Sequence, residues 1–83
     1  MSQKLSKSNQ TPRKPGWNLA PAWANFLALD LDGGWCWHEM EPCVIEWMFG
    51  WSSNGNQTHA ATESDPDVLS QWRTSLDIRT VID

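Results

Sequence analysis

Between residues 25 and 51 the apolar positions fall into three short runs separated by turn-forming residues, a spacing that suits strands better than helices. The first run is Asn25-Phe26-Leu27-Ala28-Leu29-Asp30. The second, Trp35-Cys36-Trp37-His38-Glu39-Met40-Glu41, alternates with a period of two, so Trp35, Trp37 and Glu39 share one face and Cys36, His38 and Met40 the other. Between them Asp30-Leu31-Asp32-Gly33-Gly34 is rich in turn formers, and the pair predicts a β-hairpin around Asp32-Gly33. Pro42 closes the second strand, because proline cannot donate to a ladder and restricts Glu41. The third run, Cys43 to Trp51, contains the β-branched pair Val44 and Ile45 and predicts one further strand ending at Gly50.

Asn54-Gly55 is a strong two-residue hairpin signal, after which Thr58 to Glu63 can return as a fourth, weaker strand. Ser64-Asp65-Pro66-Asp67 marks a helix start: Asp65 as N-cap, Pro66 at the first helical position, Asp67 near the positive end of the dipole. Leu69, Trp72 and Leu76 then recur at spacings of three and four, which predicts one amphipathic helix over 66–77, with 78–83 frayed or adding an edge strand. The fold class read from this pattern is α+β: a three- or four-stranded antiparallel β-meander with one face covered by a C-terminal amphipathic helix. Residues 1–15 hold Leu5 as their one aliphatic residue after the start and predict a disordered basic tail. An extended entry segment follows at Gly16 to Pro21, with Trp17 placed to pin it to the body. Residues 16–83 form the single domain.

Composition sharpens this in one respect. Seven of 83 residues are tryptophan and none is tyrosine, and each indole brings roughly 200 Å² of mostly apolar surface that is either buried or used. A domain of this length buries only about 60% of the surface its unfolded chain exposes. Trp35 and Trp37, on one strand face, form either half the core together with Trp72 or an exposed aromatic platform. A small sheet does not hide every indole, so Trp17, Trp47 and Trp51 are further candidates for a contact surface. Charge is divided along the chain. Lys4, Lys7, Arg13 and Lys14 give residues 1–15 a charge of +4, whereas Arg73 and Arg79 face all ten acidic residues in 16–83, a net −8. Such a body repels a phosphate backbone, so direct nucleic-acid binding is not expected. No run approaches the ~18 apolar residues of a membrane span. The basic start lacks the apolar stretch of a secretory signal, and Ser2 stands where myristoylation requires glycine, so a soluble cytosolic protein is expected.

Catalytic and metal chemistry find little footing. Cys36, His38, Cys43 and His59 are the available zinc ligands, but their spacing lacks the tight pairs of structural zinc sites, and two reduced cysteines acting as small hydrophobes are the simpler reading. Asp30 and Asp32 begin a series like that of a calcium loop, yet turn chemistry accounts for both. His38 and His59 have no serine or cysteine nucleophile in an activating context, and so small a chain has little room for a concave site. No enzyme activity and no cofactor are expected.

From Pro21 to Pro42 the order Trp23-Ala24, an apolar strand ending in Asp30, Asp32-Gly33, Trp35-Cys36-Trp37-His38-Glu39 and Glu41-Pro42 resembles short accessory proteins of tailed bacteriophages and prophages. The resemblance extends over 21–51 and to Trp72-Arg73-Thr74-Ser75-Leu76; Cys36 and His38 depart from it, standing where aromatic residues are expected. It carries no activity. It implies a phage-encoded protein at work in the host bacterial cytoplasm. Together with the spare tryptophans this gives a non-enzymatic interaction module that engages a host or phage protein, with inhibition of a host nuclease or defence complex by surface occupation as one such role. A small ligand-binding module for a glycan or zinc is the alternative, and the surplus of apolar surface leaves a homodimer open.

Overall fold

The hairpin across Asp32-Gly33 lies at the centre of the fold. In the computed structural model, which describes residues 14–80, β1 (Phe26–Leu29) and β2 (Gly34–His38) pair antiparallel with Phe26 opposite His38 and Leu29 opposite Trp35. The turn is built from the residues that announced it. The Gly33 amide donates to the Asp30 carbonyl at 2.9 Å, and the Gly34 amide to Asp32 Oδ1 at 2.9 Å. Gly33 has φ of +100°, and a Cβ there would meet the Glu63 carbonyl oxygen, so only glycine fits.

The sheet around this hairpin is not a meander. β5 (Gln57–Thr62) adds to the free edge of β2, and β6 (Asp77–Ile78) to the free edge of β1, giving an antiparallel order β5-β2-β1-β6. A register shift between Trp35 and Cys36 leaves Ala60 unopposed, a bulge in the outer strand. The predicted third strand is instead two: β3 (Cys43–Ile45) and β4 (Gly50–Ser52) pair with each other in a separate two-stranded sheet. Between them Glu46–Met48 forms a single 3-10 turn and Phe49 takes the left-handed conformation, φ 54°. The run therefore folds back on itself within nine residues. The Asn54-Gly55 turn likewise does not join paired strands, since β4 turns back to β3 and β5 goes on to β2.

Leu27, Leu29, Trp35 and Trp37 alternate onto one face and pack with Ala24 and Trp72 as the buried core. Trp17 lies on Trp37 with ring centroids 4.9 Å apart, and its indole N–H donates to Asp77 Oδ2 at 3.1 Å. The entry segment is thus pinned as expected, though Trp17–Leu19 is a 3-10 turn and not extended. On the other face Ala28 and His38 are also buried, with His38 Nδ1 2.8 Å from Ser53 Oγ. Both faces of the central pair are covered.

The predicted helix over 66–77 survives only as α1 (Pro66–Leu69) and a 3-10 turn, Trp72–Thr74. Its start is as read: Asp65 caps the Asp67 amide at 2.9 Å and Pro66 opens the first turn. Its end is set by hydroxyls that compete for helical carbonyls. Ser70 Oγ donates to the Asp67 carbonyl and Ser75 Oγ to that of Trp72, while Ser75 Oγ also accepts from the Leu29 amide at 2.8 Å. The chain must leave the helix to place Trp72 in the core and β6 beside β1. The result is a mostly antiparallel β fold with short helical turns, to which the α+β description applies only loosely. Of the predicted disordered tail, residues 1–13 lie outside the described residues, whereas Lys14 belongs to the body through an ion pair with Asp77 at 2.9 Å. None of the described helices is long and apolar enough to cross a membrane.

Candidate binding surface

The β3–β4 hairpin is anchored on two sides, and its tip projects between the anchors. On one side the Leu31 amide donates to the Phe49 carbonyl at 2.9 Å, and the Trp51 amide donates to Asp30 Oδ1 at 2.8 Å. Gly50 permits this approach, because a Cβ there would stand 2.8 Å from Asp30 Oδ1. Burial pushes the Asp30 carboxyl above its ordinary value and the Asp32 charge adds to the rise, while the Trp51 amide works against both. On the other side Arg73 Nε and Nη2 reach Glu46 Oε1 at 3.0 and 2.9 Å, and the guanidinium carbon lies 4.8 Å from the centre of the Trp72 ring. The hydrogen bond and charge of Arg73 hold the Glu46 carboxyl below its usual range.

What the anchors present is apolar. Trp47 is 81% exposed, Met48 51% and Phe49 54%. Phe49 is the one non-glycine residue with positive φ among the described residues, a conformation that costs about 1–2 kcal/mol for an ordinary side chain. Three large apolar side chains held on one tip, one of them on a strained backbone, are what a contact surface requires and what a solvated loop avoids.

The five tryptophans named from the sequence separate here. Trp47 is the exposed one. Trp35 and Trp37 are 4% and 3% exposed, which makes them core and excludes the platform reading. Trp17 and Trp51 are half-buried against the core, and the Trp51 indole N–H donates to the Trp72 carbonyl at 3.1 Å, so neither is a free binding residue. Met48 and Phe49 were not singled out by the sequence. The signal was present in the adjacency of Met48 and Phe49 to Trp47, but a continuous strand would have sent Met48 to the opposite face.

The zinc candidates do not converge. Cys36 and His59 are opposite each other in the β2–β5 ladder, His38 is turned to Ser53, and exposed Cys43 sits on β3 with Sγ 3.9 Å from the Ser52 carbonyl. Among the described residues no three His, Cys, Asp or Glu side chains are grouped to hold a metal ion. Cys36 and Cys43 are free thiols, and burial, with Asp30 and Asp32 nearby, pushes the Cys36 thiol up to about 11, which keeps it protonated and a poor nucleophile. Compared with known proteins, the chain matches no family model, and no curated protein and no solved structure matches it significantly.

Proposed function

We propose that this chain is a non-enzymatic protein-binding module whose contact surface is the β3–β4 hairpin tip. The observation that carries the reading is the exposure of Trp47, Met48 and Phe49 on a hairpin tied down at Asp30 and Arg73. A rigid aromatic anchor loses little conformational freedom on binding, and tryptophan flanked by aliphatic and aromatic groups is typical of interface hot spots. The likeness to phage accessory proteins points to a bacterial or phage protein as partner in the host cytoplasm, and occupation of its surface is the mode of action, inhibition of a nuclease or defence complex being one such outcome.

The test is affinity capture of the tagged protein from bacterial lysate at low and high salt, in parallel with Trp47→Ala. A partner held by the native chain at both salt levels and lost by a folded Trp47→Ala variant supports the reading. Retention that is unchanged in the variant overturns it. Binding that collapses with salt assigns recognition to the acidic surface instead.

A further inference from the structure

A second site lies away from the hairpin tip. A cleft of about 320 Å³ opens between the Trp35 face of the sheet, α1 and the chain leading into β6. Leu29, Trp35 and Val68 supply apolar walls, and Lys14, Asp67 and Asp77 bring charge to it. This volume is at the lower end of ligand cavities, and apolar walls with a few polar groups are their usual make-up. The chain builds a concave site after all.

One contact shows what the cleft is fitted for. The Asp77 carboxylate is oriented by the Trp17 indole N–H at 3.1 Å and pairs with Lys14 Nζ at 2.9 Å, while that same ammonium lies 6.0 Å from the centre of the Trp35 ring. A cation held between a fixed carboxylate and an aromatic wall is the arrangement of alkylammonium recognition. Trp35 itself is 96% buried, and its indole N–H has no hydrogen-bond partner among the described residues. The indole nitrogen exposes no surface, so the cleft meets Trp35 through its ring.

We propose that this cleft binds a basic side chain, lysine or arginine, of another polypeptide, and that Lys14 occupies the cation position in its absence. The incoming ammonium or guanidinium replaces Lys14 at Asp77, with Asp67 adding negative potential at the rim. Because Lys14 competes from within the same chain, its removal raises apparent affinity.

The probe is N-acetyl-arginine methylamide, titrated into the whole chain while the Trp35 indole ¹H–¹⁵N resonance is followed. The expected result is a saturable shift, several-fold tighter in Lys14→Ala than in the native chain and lost in Asp77→Asn. Asp77 also holds Trp17, so Asp67→Asn, which weakens the response, and the uncharged N-acetyl-norleucine methylamide, which gives none, keep the test independent of folding. Trp47→Ala leaves the titration unchanged. No saturable shift in Lys14→Ala, or an equal shift with the uncharged probe, overturns the proposal.

Discussion

The Trp51 indole N–H donates a 3.1 Å hydrogen bond to the Trp72 carbonyl, joining the β3–β4 hairpin to the turn that carries the largest buried side chain of the core. The Trp51 amide is held at the same time by Asp30. Four residues before it, Trp47 makes the opposite use of the same side chain and stands in solvent. The hairpin is therefore fixed by one tryptophan and displays another.

That contrast sets the first expectation. Trp51→Ala removes a half-buried indole and a hydrogen bond and lowers stability by about 2 kcal/mol or more. Trp47→Ala changes stability by no more than about 0.5 kcal/mol, as exposed substitutions do, yet abolishes partner binding. Denaturant unfolding followed by circular dichroism gives the first pair of values, and affinity capture gives the last.

Phe49 separates stability from binding in the other direction. Phe49→Gly relieves the left-handed backbone at φ 54° and stabilises the chain by about 1 kcal/mol, while it removes one apolar contact from the tip. A higher melting temperature with weaker partner binding is the expected pair of results.

Gly33→Ala places a Cβ against the Glu63 carbonyl on a backbone at φ +100°. The substitution costs more than about 1 kcal/mol and acts by opening the β1–β2 turn, where β2 meets β5. Reduced protection of the Gly34 and Glu63 amides in hydrogen exchange distinguishes this local effect from a general loss of packing.

His38 gives the chain a pH dependence of known sign. Burial lowers its pKa below the ordinary 6.5, so the unfolded chain takes up the proton first as pH falls. Stability is full above 6.5 and declines below it, down to the folded-state value. Asp30 contributes the opposite slope: its carboxyl is raised, so its favourable contribution is present at low pH and lost as pH rises through that raised value. Unfolding midpoints measured on either side of pH 6.5 in the native chain and in His38→Gln isolate the histidine, whose contribution disappears in the variant.

The Glu46–Arg73 pair is a positioning contact on the surface. Both side chains are more than half exposed, at 64% and 54%, and such pairs add little to stability. Arg73→Met is expected to leave the melting temperature unchanged while weakening partner binding through a looser tip.

Sequence alone determined the features that depend on neighbours along the chain. The Asp32-Gly33 hairpin, the sharing of one face by Trp35 and Trp37, and the helix start at Asp65-Pro66 all follow from turn chemistry, a two-residue period and capping, which act over a few residues. Tertiary structure decided which strand pairs with which, where the helix ends, and which indole is left outside. A strand period says which side chains share a face but not which edge takes the next strand, so β5 joined β2 while the run from Cys43 folded back on itself. Ser75 closes the 3-10 turn after Thr74 where its hydroxyl meets the Leu29 amide. Trp47 and Trp51 are chemically identical, and a left-handed Phe49 between them, together with the Trp72 carbonyl waiting for one indole, put one in the fold and the other on its surface.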